Sequence, residues 1–266
     1  MSFSSSTKNE ISKLPMDREC CLIAELAAII RMSGTIQLSG MRKISLKFVT
    51  ENAAIARRIF VIIKNLYDAN MEVMVRRNRQ LKKNNNYMIL VTGMDVNRRI
   101  LNDVGLLSDD NDVNFIIDHR IPDNIIKNRC CKRAYLRGAF LGGGSISNPE
   151  KSYHLEFVTN SQEHSKDLMK LINSFGLNAR IVTRKGNYVI YLKEGEQISD
   201  ILNIIEAHQA LLQFENIRVV KDVRNNVNRL VNCETANLNK TINASIKQVE
   251  NIEYIDSKIG IEKLPK

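Results

Sequence analysis

The chain has 266 residues, enough for two domains with proper cores, and its 44% hydrophobic and 26% charged residues suit a soluble globular protein. An apolar run of about 18 residues, which would cross a membrane, is absent, and the start MSFSSSTKNE is not a secretory signal. A cytoplasmic protein without a membrane partner is expected, and its net charge of +10 points towards a polyanion or simply towards solubility.

In chain order, a short helix is expected over residues 8–14, N-capped by Ser4 or Ser5 and ended by Pro15. Residues 17–32 read as the first long helix, stopped by Gly34. Residues 44–49 alternate apolar and polar side chains, as a half-buried strand does. Residues 51–67 carry Ile55, Ile59, Ile62, Ile63 and Leu66 at helical spacing. Strands over 72–79 and 87–92 follow, and Asp95 is expected to cap a helix that ends near Val104 before Gly105.

The order then begins again. AELAAIIRMSGTI, residues 24–36, returns as AYLRGAFLGGGSI, residues 134–146, and the doublet Cys20-Cys21 returns as Cys130-Cys131, both at an offset of 110. A helix is expected over 130–141, a strand over 153–158, a helix over 161–175, a hairpin from 179–183 and 188–192, and a helix over 198–207. Small residues let two helix backbones approach, so Ala27, Ala28 and Gly34 are expected to pack on Gly138, Gly142 and Gly144. The fold class is α+β, with two α-β-α-β-β-α repeats around a pair of packed helices. The first repeat with its N-terminal helix spans 1–105, a linker 106–128, the second repeat 129–208 and a helical segment 209–266. Within the last segment, a helix over 209–230 is followed from Val231 by a further stretch, with a new helix over 237–255.

The charge is unevenly spread. Residues 1–105 hold 17 basic and 9 acidic side chains, residues 106–208 hold 13 of each, and residues 209–266 hold 9 and 7. Aligning Val73 with Val182 and Tyr87 with Tyr188 makes the first hairpin eight residues longer than the second. The added stretch is a basic finger, in which five of the eight residues 76–83 are basic: Arg76, Arg77, Arg79, Lys82 and Lys83. Arg184 and Lys185 stand at the shorter hairpin, and Lys43 and Lys47 on the first strand. Together they are the candidate phosphate contacts for double-stranded DNA, although a charge run is also what a solvated hairpin tip looks like.

A small-residue helix repeated ahead of a strand resembles the LAGLIDADG homing-endonuclease architecture. Together CCLIAELAAIIRMSG, CCKRAYLRGAFLGGGSIS and NCETANLNK resemble the WhiA family of bacterial DNA-binding regulators over nearly the whole chain. The resemblance implies a degenerate homing-endonuclease domain tethered to a C-terminal helix-turn-helix, of which only the first helix fits before Lys266. It also implies transcriptional regulation connected with sporulation, cell division or chromosome segregation, at the nucleoid. RNA polymerase or another transcription factor is a further candidate partner, with the duplicated domain then acting as a protein-docking module.

The resemblance also locates a loss of chemistry. LAGLIDADG nucleases place an acid at the end of each paired helix to hold a divalent metal, which needs charged oxygen ligands. Those positions are Ser33 and Gly143 here, with Arg31 and Arg137 nearby, so no nuclease, no cofactor and no metal are expected. The four histidines are scattered, and Gly142-Gly143-Gly144 lacks the lysine of a phosphate-binding loop. Cys20, Cys21, Cys130 and Cys131 could share a metal if the two helix starts meet, but doublets lack the Cys-x-x-Cys spacing of zinc sites, and buried cysteine often serves as a small apolar residue.

Overall fold

A computed structural model of the chain describes residues 2–39, 43–77, 85–107, 117–258 and 260. It divides into two compact units, residues 1–215 and 216–266. In the first unit, α1 (Phe3–Ile11), α2 (Glu19–Ser33), β1 (Gly34–Ser39), β2 (Lys43–Thr50), α3 (Ala53–Tyr67), β3 (Met71–Arg77), β4 (Asn85–Val91) and α4 (Met94–Asp103) form the first repeat. The second repeat holds α5 (Arg129–Gly143), β5 (Gly144–Ile146), β6 (Leu155–Thr159), α6 (Gln162–Asn173), β7 (Arg180–Arg184), β8 (Asn187–Leu192) and α7 (Gly195–Ile204). The helix α8 (His208–Lys258) follows.

The duplicated α+β architecture is as the sequence implies, with one strand more per repeat. Each repeat carries a four-stranded antiparallel sheet, ordered β1-β2-β4-β3 and β5-β6-β8-β7. The added strands, β1 and β5, leave directly from the ends of α2 and α5, so each paired helix feeds an edge of its own sheet. Ile44, Leu46, Phe48, Ile89 and Val91 of the first sheet and Leu155, Phe157, Ile190 and Leu192 of the second are buried against helices. The opposite face of each sheet stays open, which is the arrangement of an antiparallel sheet covered on one side.

Local chemistry explains most element boundaries. Asn52 caps α3 by accepting from the Ala54 amide at 2.8 Å, and Ser161 caps α6 by accepting from the His164 amide at 3.2 Å. Ser2, rather than Ser4 or Ser5, caps α1, accepting from the Ser5 amide, so the helix starts and ends earlier than expected. Asp95 is not a cap either: α4 starts from Gly93, whose φ of 98° turns the chain, and Asp95 lies in the first turn. Buried Asn97 accepts from the Leu46 amide and donates to the Val91 and Gly93 carbonyls, fastening α4 to β2 and β4.

Two further readings of the sequence are corrected. Residues 208–258 form one helix with no break between 230 and 237. No glycine or proline lies in this span, so nothing interrupts its backbone hydrogen bonds. The hairpin alignment is also off by one. Thr50 pairs with Tyr87 and Tyr87 with Val75, while Thr159 pairs with Tyr188 and Tyr188 with Thr183, so Val75 corresponds to Thr183 and Val73 to Ile181. Nine residues separate the paired Arg76 and Asn86, and two separate the paired Arg184 and Asn187, so the first hairpin is seven residues longer, not eight. A one-residue slip exchanges the faces of a strand, so this correction decides which arginines lie together.

Candidate nucleic-acid interface

The open sheet faces follow from the register. Across the first sheet, Thr35, Lys47, Leu90 and Glu72 lie opposite one another in a row, as do Val49, Met88 and Met74. Asn86 and Arg76 continue this face towards the hairpin tip. Arg77 belongs to the alternate set with Val75 and Val73, so it projects from the other side of the strand. Lys47 is half-buried, and Arg76 and Arg77 are exposed. Lys43 opens β2 opposite Ser39. Arg79, Lys82 and Lys83 lie outside the described residues.

The second sheet repeats the pattern. Ser145, Glu156, Tyr191 and Arg180 form one row of its open face, and Val158, Val189 and Val182 the next. Arg184 and Asn187 end that face and close a two-residue turn of Lys185 and Gly186. Both turn residues have positive φ, 51° and 78°, matching the right-handed twist of a tight hairpin. Arg184 and Lys185 line a shallow depression with Glu156, Val158, Asn187 and Val189. Thus Arg76 and Arg184 occupy equivalent register positions on equivalent faces. Arg180, which charge clustering did not single out, shares this face and is exposed. Only the pairing of β7 with β8 reveals it.

The face is not uniformly basic. Glu156 accepts from His154 Nε2 at 3.1 Å and from Ser145 Oγ at 3.2 Å, and His154 stacks on Tyr191 with centroids 6.0 Å apart. Val49, Met74 and Val182 are between 38% and 47% exposed on the same faces.

Beneath the sheets, α2 and α5 pack along their small residues. Ala27 and Ala28 are fully buried. A Cβ on Gly138 would stand 2.3 Å from the Glu25 carbonyl oxygen, and one on Gly142 2.7 Å from Met32 Cβ. Gly34 and Gly144 face their own helices instead, where a Cβ would meet the Ile30 and Phe140 carbonyl oxygens at 2.7 and 2.8 Å. At the helix ends, the Ser33 hydroxyl donates to the Ile29 carbonyl at 3.1 Å. A Cβ on Gly143 would meet Met32 Cε at 2.4 Å and the Val158 carbonyl oxygen at 2.7 Å. The Ser33 hydroxyl is thus committed within its own helix, and the space beside Gly143 is filled.

The charges near the helix pair serve the scaffold. Glu25, fully buried, is gripped through both carboxylate oxygens by Arg58, and accepts from Arg137 Nε at 2.9 Å. Arg137 reaches on to Glu206 at 2.7 Å. Arg31 donates to the carbonyls of Ala27, Gly105 and Arg120, tying α2 to the chain between the repeats. Burial lowers its pKa below the ordinary arginine value. His164 sits between Tyr135 OH at 2.9 Å and Thr159 Oγ1 at 3.3 Å. Burial, with Arg31 and His119 adding repulsion, pushes its pKa down to about 3, so the imidazole is neutral at pH 7. Glu25 and Arg137 are 112 positions apart, Arg31 and Arg120 89, and Tyr135 and His164 29, and composition gives no sign of these pairings.

At the other end of α2 and α5 the cysteine doublets meet. The four sulfurs of Cys20, Cys21, Cys130 and Cys131 lie within 4.8 Å of one another. Burial and the neighbouring thiols push Cys21 up, and Cys131 up to about 11. Burial also acts to raise Cys130, but hydrogen bonds from Cys21, Cys131 and Arg18 outweigh it and lower that thiol.

In the second unit, the part of α8 from residue 216 onward exposes Val219, Val220, Val223, Val227, Leu230 and Val231. Among the described residues, no helix is long and apolar enough to cross a membrane.

Comparison with known proteins accounts for this architecture. The WhiA N-terminal LAGLIDADG-like domain matches residues 19–107, the WhiA LAGLIDADG-like domain residues 132–224, and the WhiA C-terminal HTH domain residues 227–266. A probable cell division protein WhiA of Alkaliphilus metalliredigens is 60% identical over 265 residues, which cover 100% of this chain and 83% of the relative. A namesake from Thermoanaerobacter sp. (strain X514) is 56% identical with the same coverage. The crystal structure of full-length DUF199/WhiA from Thermatoga maritima superposes with a TM-score of 0.70 at 25% identity, over 100% of this chain and 83% of that one. With its duplicated sheets, its paired helices and relatives similar along its whole length, this chain belongs to the WhiA family.

Proposed function

We propose that the chain is a non-catalytic DNA-binding transcriptional regulator acting in cell division, chromosome segregation or sporulation, at the nucleoid in the cytoplasm. One observation carries the DNA role of the duplicated domain: Arg76 and Arg184 hold equivalent positions on the open faces of two equivalent sheets. Lys47 and Arg180 lie on the same faces, and Lys185 at the second turn. Arg77, Arg79, Lys82, Lys83 and Lys43 extend the basic set in sequence. Cations on a ribbon neutralise phosphates, and antiparallel ribbons fit a major groove. The match of residues 227–266 to the WhiA HTH domain supports a second DNA contact. The name of the relatives supports the cell-division setting.

The absence of cleavage rests on Ser33 and Gly143, which offer no charged oxygen to a divalent ion. A second reading has a specific basis as well. The exposed Val49, Met74 and Val182, with Glu72 and Glu156 on the same faces, suit docking of RNA polymerase or another transcription factor.

Titration of fluorescent duplex DNA at several salt concentrations separates the two. Binding that weakens with salt, with a slope that falls by about 0.9 per phosphate contact removed, is expected when Lys47, Arg76, Arg180 and Arg184 become alanine. A variant with the wild-type slope would leave DNA to the C-terminal segment and the sheets to a protein partner.

A further inference from the structure

We propose that Cys20, Cys21, Cys130 and Cys131 form a four-thiolate site for one thiophilic divalent cation of the zinc class, clasping the two repeats together. The doublets occupy matching places in the first turns of α2 and α5, so the contact between these helices brings four sulfurs from two repeats to one point. The Cys-x-x-Cys rule describes ligand pairs offered by a loop. Here each doublet offers adjacent thiols from a helix start, and the second helix supplies the other half.

The distances suit a single ion. A tetrahedral zinc with bonds of about 2.3 Å separates its sulfurs by about 3.8 Å. The thiols of Cys130 and Cys131 stand 3.9 Å apart, and no pair of the four exceeds 4.8 Å. Closing onto an ion therefore asks for shifts of about 1 Å at most. The sulfurs of an iron–sulfur cubane's ligands stand much further apart, so the spacing selects a mononuclear site.

Charge and access agree. Neither α2 nor α5 has a side-chain cap hydrogen bond at its N-terminus, and amides there favour anionic sulfur. Arg18 adds a cation beside Cys130. Four thiolates this close repel one another unless a cation lies between them, and soft sulfur donors select zinc over magnesium or calcium. Cys131 is buried while Cys20 is exposed, so the cluster has a closed floor and an open entrance. Binding is an exchange of protons for metal: as sulfur–metal bonds form, up to four protons leave the thiols for solvent and no electron moves.

The test uses the reduced 266-residue chain with Co²⁺ as an optical probe and Zn²⁺ as competitor. One equivalent of Co²⁺ is expected to give the visible bands and sulfur-to-metal charge-transfer absorption of a tetrahedral thiolate site, bleached by one equivalent of Zn²⁺. Cys20→Ser, at an exposed position, should shift the bands and weaken uptake at least tenfold. Cys233→Ser, in the second unit, should leave the titration unchanged. Reduced wild-type protein showing no thiolate bands, or a Cys20→Ser titration identical to wild type, would overturn the proposal. So would paired disulfides in the protein isolated under non-reducing conditions, if reduction did not then restore uptake.

Discussion

Glu25 links α2 to α3 and α5 through a buried ion-pair network with Arg58 and Arg137. Its carboxylate is buried between Arg58 and Arg137, and removing it leaves the buried Arg58 guanidinium without its carboxylate, while Arg137 keeps only Glu206. Breaking a buried pair in this way costs about 3–5 kcal/mol. Glu25→Ala is therefore expected to lower unfolding stability by that order in urea denaturation, and a loss under about 1 kcal/mol would show that the pair is not a structural anchor. His164 sets a pH limit. Its folded pKa, about 3, lies below the ordinary value of 6.5. The unfolded chain thus binds the extra proton first, and stability falls as pH drops below about 6.5, with about 2 kcal/mol lost by pH 5. His164→Gln should flatten that fall, and an unchanged profile would move the acid sensitivity elsewhere. Neither residue announced itself in the sequence: Glu25 and Arg137 are 112 positions apart, and a scattered histidine reads the same whether buried or exposed.

At the scale of elements, helix pairing was legible and strand register was not. The recurrence of small residues at an offset of 110 placed α2 against α5, because close backbone approach demands Ala and Gly there. The register of the two hairpins depends on a one-residue choice between the neighbouring Ile181 and Val182, and only the ladders resolve it in favour of Ile181 as the equivalent of Val73. The length of α8 is hidden in the sequence for a different reason. The polar stretch NCETANLN resembles a loop in composition, yet contains no residue that breaks a helix. The close approach of the paired helices also yields a prediction. Gly138→Ala forces a Cβ to within 2.3 Å of a backbone oxygen, so the helices must separate, at a cost of about 1–3 kcal/mol in thermal or urea unfolding. Stability equal to wild type would show that the pair can open without cost. Gly143→Asp meets the same obstacle at Met32 and Val158, so with Ser33→Asp it should destabilise the fold rather than give Mg²⁺-dependent nicking of plasmid DNA.

For the whole molecule, duplication has separated scaffold from surface. Both repeats bury the same sheet face against helices and leave the same face open, and the open faces hold paired arginines although the first repeat carries most of the excess charge. In the proposed function, these faces lie against DNA. Photo-crosslinking tests it most directly, with a light-activated amino acid placed at Val49 or Val182 on the open faces, or at the exposed Arg57 or Lys166 on the helical side. Crosslinks to duplex DNA are expected from Val49 and Val182 and none from Arg57 or Lys166. Crosslinks from the helical positions alone would contradict it.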